Sequence, residues 1–200
     1  MDVWLTGVTH ASGSVRTGDL YAALPGARRH GAEFIPAAAA AGAAAVLTDP
    51  VGEPAAIQVG LPALVTGDPR GVLGQVAAAV YGDPTAQLAV VGITGTAGKT
   101  TTAYLVDSGL RAAGLRPGLI GTVETRLGDD PIRSERTTPE APDLQALFAL
   151  ALERGVSVVT MEVSSHALAL SRVEGTRFAV GGFTNLGVDH LDFHADVGDY

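Results

Sequence analysis

The stretch Leu88–Thr102 reads LAVVGITGTAGKTTT, and the rest of the chain is read outward from it. Leu88 to Ile93 is a short, valine-rich apolar run, as expected of a strand buried in a parallel sheet. Glycines follow at 92, 95 and 98, then Lys99, Thr100 and Thr101. From Thr102 to Ala113 the pattern predicts a helix with Leu105, Val106, Leu110 and Ala113 on one apolar face. Strand, glycine-rich turn, lysine, hydroxyl, helix is the layout of a phosphate-binding loop. Glycines let backbone N–H groups turn inward and approach phosphate oxygens closely. The helix N-terminus adds partial positive charge, and Lys99 adds a full one. The Thr100 hydroxyl suits the magnesium that accompanies ATP.

The spacing departs from the usual loop. Ile93 stands where a glycine is common, and the glycines run as GxxGxxGKT. A glycine turn before a helix is often only structural, but one followed by a lysine and two threonines favours nucleotide binding. Lys99 is the only lysine, and every other basic side chain is arginine. A lysine kept amid that bias suggests that arginine does not serve there.

Two hundred residues allow one large or two small domains, and 46% hydrophobic with 17% charged residues is the composition of a globular protein. A net charge of -8 argues against nonspecific binding to nucleic acid or an acidic membrane. With no cysteine there are no disulfides or thiolate metal sites, which fits a reducing compartment. The opening MDVWLTGVTH has no basic-then-apolar pattern of a signal peptide, and the alanine-rich run Ile35–Leu47 is too short to span a bilayer. A cytoplasmic location is expected, and a monomer by default.

Residues 1–84 read as a small α/β unit. Gly18 and Asp19 turn into a strand at Leu20–Leu24; Glu33–Ala41 reads as a helix stopped by Gly42; Ala44–Leu47 reads as a strand. Further strands are expected at Ala56–Val59 and Ala63–Thr66, before a helix capped by Asp68-Pro69 and running to about Tyr81. Gly82, Asp83 and Pro84 mark a boundary, and 85–200 form a second α/β domain with a mostly parallel sheet. Its expected elements are a strand at Leu119–Gly121, a hairpin over 122–137 turning at Gly128–Pro131, and a polar loop Thr137–Glu140. A helix at Asp143–Arg154 and strands at Ser157–Val163 and Arg177–Phe183 follow.

Polar groups sit just past strand ends, where open α/β sheets bind ligands. Glu162 ends the run ValValThrMet, and a carboxylate there either pairs with a cation or binds a metal. Beside a phosphate-binding loop, a magnesium ligand is favoured. Ser164 and Ser165 either cap the next helix or bond a substrate anion. NLGVDHLDFH, residues 185–194, carries two histidines four apart, but Leu191 stands where a zinc-protease motif needs glutamate, so zinc is a weak reading. A single histidine near magnesium is better. Asp192 and Asp196 serve as caps or solvated surface, and His10 and His30 sit on loops.

GITGTAGKTTT, MEVSSHAL and TNLGVDHLDFH, in this order and spacing, resemble the Mur ligases, ATP-dependent amide-forming enzymes of peptidoglycan precursor synthesis. SSHAL, DHLDFH and the RTTPE loop are most similar to the MurE-type branch, which adds diaminopimelate or lysine to UDP-N-acetylmuramoyl-L-Ala-D-Glu. The stretch from Val15 to Leu47 is similar to the family's UDP-binding first domain. The resemblance implies an acyl phosphate on the D-Glu γ-carboxylate, attacked by the incoming amine. It implies ATP contacts at Gly95, Thr96, Ala97, Gly98, Lys99, Thr100, Thr101 and Asn185, and magnesium contacts at Thr100, Glu162 and His190. Lys99, Glu162 and His190 carry the catalytic roles. Ser12, Thr137, Thr138, Ser164 and Arg172 are implied to hold the UDP-muramoyl dipeptide, Arg172 through its planar fork.

Departures are visible. Ala97 replaces the family's usual asparagine, which puts a loop hydrogen bond in doubt; Ala11-Ser12-Gly13 replaces the usual Asp-Ser-Arg; Leu170 replaces a glutamine of some relatives. The chain stops at Tyr200, short of the family's carbamylated lysine and amino-acid-binding third domain, so ligation by these residues alone is not expected. The rival readings are a MurD, MurF or folylpolyglutamate synthase relative, a plain P-loop NTPase or kinase, and a non-catalytic UDP-sugar-binding fragment.

Overall fold

The computed structural model describes residues 3–133 and 136–200. Met1 and Asp2, which open the segment read for a leader, and Ser134 and Glu135, in the descending end of the expected hairpin, lie outside the described residues.

Four strands make the first sheet: β1 (Gly7–Thr9), β2 (Asp19–Ala23), β3 (Ala45–Thr48) and β4 (Ala63–Val65), all parallel and in that spatial order. Parallel neighbours need a crossover. A 3-10 turn at Gly31–Phe34 and helix α1 (Ile35–Ala40) connect β2 to β3, and α2 (Glu53–Gln58) connects β3 to β4. Helix α2 corrects the strand expected at Ala56–Val59. The crossover over 49–62 needs a helix, Pro54 fits its first turn, and Gly60 at φ 73° stops it. Ala56, fully buried, is its inward face rather than a strand residue.

Helix α3 (Pro69–Val80) starts as expected, with the Gly71 N–H donating to Asp68 Oδ1 at 3.0 Å. It lays Leu73 and Ala77 against Val8, Leu20, Ala22 and Leu47 on one face of the sheet. Ile35, Ala38 and Ala56 of α1 and α2 pack with Tyr21 and Val46 on the other. Both faces are therefore sealed, as a parallel sheet requires.

The second sheet contains β5 (Ala89–Thr94), β6 (Gly118–Ile120), β7 (Thr125–Leu127), β8 (Asp130–Ile132), β9 (Val158–Glu162) and β10 (Phe178–Phe183). Their spatial order is β10-β5-β9-β6-β7-β8. The first four run parallel, while β6, β7 and β8 pair antiparallel through the hairpin, so the sheet is mixed. Gly128, at φ 65°, supplies the left-handed residue of its turn.

Helices α4 (Lys99–Ala112), α5 (Ala141–Glu153) and α6 (Ser165–Ala169) complete the unit. Helix α4 begins earlier than expected, and its predicted face is right only in part: Val106 and Leu110 are half-buried, but Leu105 and Ala113 are exposed. Ala103 and Asp107 are buried, whereas Leu105 is 68% exposed. Asp107 tolerates burial because Arg111, at 3.1 Å, and Arg126 pair with it. On α5, Leu144, Phe148 and Ala151 pack with Val90, Val159 and Met161. Helix α5 also packs on α3, where Arg70 meets Glu140 at 3.4 Å and joins the two sheets' units.

Residues 186–200 form turns rather than the helix that a zinc-type histidine pair would need, and His190 sits at φ 53°. No helix among the described residues is long and apolar enough to cross a membrane.

Candidate functional site

Strands β5 and β9 pair in parallel with Ile93 opposite Glu162, so both chains leave the sheet at the same edge. The chain leaving β5 makes the glycine turn and enters α4. Gly95 at φ 124° and Gly98 at φ 85° supply the backbone geometry, and a Cβ on Gly95 would collide with Thr184 Oγ1.

The turn is clamped from the chain that follows β10. The Ala97 N–H donates to Asn185 Oδ1 at 3.1 Å, and Asn185 Nδ2 donates to Ala97 O at 3.0 Å. Thr184 Oγ1 donates to the same carbonyl at 2.7 Å. The Thr96 N–H donates to Asn185 O at 3.0 Å, and the Thr96 hydroxyl lies 2.8 Å from Tyr200 Oη. Lys99 Nζ donates to Gly95 O at 2.7 Å and Thr96 O at 3.1 Å, holding its charge over the turn. The loop hydrogen bonds thus run through the peptide of residue 97, which any side chain provides. The missing asparagine amide leaves this clamp intact.

Glu162 is 2% exposed, and its carboxylate is held by neutral donors. Thr100 Oγ1 donates to Oε2 at 2.9 Å, the Thr122 N–H to Oε1 at 2.9 Å, and Thr122 Oγ1 to Oε2 at 3.1 Å. A buried carboxylate beside a hydroxyl, at the mouth of a glycine turn, fits a hard divalent cation whose other ligands are water and phosphate oxygens. His190 lines the adjacent cleft, but none of its hydrogen bonds or ring contacts reaches Glu162 or Thr100. No group of three or more His, Cys, Asp or Glu side chains is placed to hold a metal among the described residues.

The cleft, about 450 Å³, is lined by Lys99, Thr122, Thr137, Ser164, Arg172 and His190, with Thr138, Arg136 and His166. Four of the five expected substrate residues, Thr137, Thr138, Ser164 and Arg172, are therefore brought together, and the hydroxyls of two of them are already engaged. Thr138 is 1% exposed and its hydroxyl is committed: it donates to Glu162 O at 2.9 Å and accepts from the Ser164 N–H at 3.1 Å. Ser164 Oγ caps α6 by accepting from the Ala167 N–H at 3.2 Å, which is the capping reading. Ser12 lies in a separate 3-10 turn, half-buried, and Thr101 is exposed on α4; neither lines the cleft.

Arg172 Nε stands 2.8 Å from Glu140 Oε1, with both side chains largely buried. The Nε–H finds no acceptor in line, so the contact is one of charge rather than a directed hydrogen bond. The imidazoles of His166 and His190 meet edge-on at 4.7 Å, and Phe193 stacks on His166 at 4.1 Å. Burial pushes the His166 pKa down, and the neighbouring imidazoles of His190 and His194 act in the same direction.

Gly121, Thr122 and Glu140 were not singled out from sequence. A Cβ on Gly121 would collide with Glu162 Oε1. The signal was present: Gly121-Thr122 follows β6, which pairs with β9, so the same strand-end rule that found Glu162 applies to it.

Known proteins are similar to this chain in sequence and fold. The Mur ligase family catalytic-domain model matches residues 5–81, and the Mur ligase middle-domain model matches residues 93–200. The UDP-N-acetylmuramoyl-L-alanyl-D-glutamate--2,6-diaminopimelate ligase of Streptomyces avermitilis is 60% identical over 199 residues, covering 100% of this chain and 39% of that protein. A solved diaminopimelate ligase of the same name superposes with TM-score 0.79 at 25% identity, covering 98% of this chain and 39% of that one. The MurF ligase of Thermotoga maritima, solved with ADP, shares the fold with TM-score 0.57 at 18% identity, covering 100% of this chain and 42% of that one. The chain thus spans about 39% of the length of the first two relatives. With one family model on each sheet, and the second over more than half of its residues, the chain belongs to the Mur ligase family.

Proposed function

We propose that this chain supplies the UDP-muramoyl-binding unit (residues 1–84) and the ATP-binding unit (85–200) of a MurE-type ligase. That enzyme joins a diamino acid to the D-Glu γ-carboxylate of UDP-N-acetylmuramoyl-L-Ala-D-Glu by way of an acyl phosphate. The observation that carries this reading is Glu162, buried at the end of β9 against the Thr100 hydroxyl and tied through Thr122 to the cleft of Thr137, Ser164 and Arg172.

In this reading the glycine turn and Lys99 hold the ATP phosphates, Asn185 keeps the turn in shape, and Thr100 with Glu162 holds Mg²⁺. The bound cation offsets charge on the transferring phosphoryl group. His190 lines the same cleft, with its ring edge-on to His166. Arg172 presents a cation to the anionic dipeptide, and Glu140 holds that guanidinium in place. Thr138 braces the loop behind Glu162. Diaminopimelate rather than lysine as the added amine follows the name of the 60%-identical relative.

Calorimetric titration tests the assignment. The chain is expected to bind UDP-N-acetylmuramoyl-L-Ala-D-Glu more tightly than the precursor lacking D-Glu. Equal affinity for both would mean that only the UDP-sugar is read, and the ligase reading would fail.

A further inference from the structure

Thr122 occupies an unusual place. Its backbone N–H and its hydroxyl both bind the Glu162 carboxylate, at 2.9 and 3.1 Å, on different oxygens. The same hydroxyl lies 3.0 Å from Thr137 Oγ1, and both side chains line the cleft. Gly121 is what lets the chain wrap the carboxylate so closely, because a Cβ there would strike Oε1.

The proton directions in this row are fixed by elementary accounting. An ionised carboxylate only accepts, so the single hydroxyl proton of Thr122 goes to Glu162. Thr122 Oγ1 then has only lone pairs left, and the 3.0 Å contact requires Thr137 to donate. Thr137 has thereby used its own proton and turns lone pairs toward the cleft. We propose that Thr122 is a positioning residue that orients the metal-binding carboxylate of Glu162 and, through the same hydroxyl, makes Thr137 a hydrogen-bond acceptor. Thr137 therefore takes an N–H or O–H of the bound substrate, such as a peptide amide, and not a phosphate or carboxylate oxygen. The inference rests on the proposed function for the identity of both ligands. The row is a physical link between the two: tilting Glu162 moves the group that Thr137 leans on.

The test uses the whole chain and three probes: Mg·ADP, ADP in excess chelator, and UDP-N-acetylmuramoyl-L-Ala-D-Glu. Thr122→Val keeps the shape and the backbone N–H but removes the hydroxyl. It is expected to weaken Mg·ADP about tenfold, the scale seen when a group supporting a metal ligand is lost, and to leave metal-free ADP unchanged. It is expected to weaken the dipeptide about fivefold, since Thr137 then regains a free proton and loses its fixed direction. Thr122→Ser should restore both within about twofold. Thr137→Val should weaken the dipeptide alone.

Unchanged Mg·ADP affinity in Thr122→Val overturns the proposal, as does equal weakening of metal-free ADP, which would mean general damage to the fold. If Thr122→Val does not fold, Thr122→Ala is read by the same titrations, and unchanged Mg·ADP affinity in that variant overturns the proposal. Failure of the wild-type chain to bind the dipeptide overturns the proposed function and the acceptor role of Thr137, while the Mg·ADP arm still judges Thr122 against Glu162.

Discussion

Strands β3 and β9 each end, deep in a parallel sheet, on a buried polar residue: Thr48 at 0% exposure and Glu162 at 2%. The surroundings separate them. Thr48 Oγ1 donates to Ala23 O at 3.1 Å, and a Cβ on the facing Gly52 would collide with it. Its neighbour Asp49 is equally spoken for, accepting from the Val51 and Gly52 N–H groups at 3.0 Å and meeting His30 Nε2 at 3.0 Å. Glu162 instead carries a full charge held only by hydroxyls and one amide, next to a cleft of about 450 Å³. A polar strand end marks a site when it carries a charge that only neutral donors hold and one of those donors lines an open cleft. When the fold consumes its hydrogen-bonding capacity, the same feature is structural.

The comparison can be broken at several points. The largest effect is expected from Lys99→Met, which removes the charge above the turn and should weaken ADP about a hundredfold by calorimetry. A change below about threefold would separate the turn from nucleotide binding. Of nearly the same size is Glu140→Ala, which leaves Arg172 buried without its counter-charge. Loss of a buried partner costs about 3 kcal/mol, read as a lower denaturation midpoint. Thr48→Val should cost about 1 kcal/mol of stability and leave Mg·ADP affinity untouched. A matching loss of affinity would erase the distinction between the two strand ends. Smallest is Ala97→Asn, expected within about 0.5 kcal/mol in stability and without effect on ADP, because the clamp uses the peptide of residue 97.

Much of the second unit was legible because its signals are local. The valine run and the glycines placed β5 and the turn, and the run before Glu162 placed β9, while α4 was expected to begin at Thr102 and begins at Lys99. What escaped depended on partners distant in sequence. Ala56–Val59 is apolar and short enough for a strand, and only the parallel pairing of β3 with β4 forces a helix there. The inward face of α4 was misread because Asp107 is buried by Arg126, a partner on the hairpin. Thr122 carries no motif of its own and gains meaning only when β6 is laid beside β9. Thr138 and Ser164 were both expected to bind substrate; the Ser164 cap was one of the two readings its position offered, whereas the bond from Thr138 to the end of β9 depends on a distant pairing that sequence does not display.

The most direct test is electron paramagnetic resonance with Mn²⁺ in place of Mg²⁺. Free Mn²⁺ is followed as the chain is added to Mn·ADP, for the wild type and for Glu162→Gln. The wild-type chain is expected to take up the metal–nucleotide complex, and Glu162→Gln to bind it at least about tenfold more weakly with the fold intact. Equal uptake by both would contradict the account, because the carboxylate at the end of β9 would then be a buried structural group like Thr48.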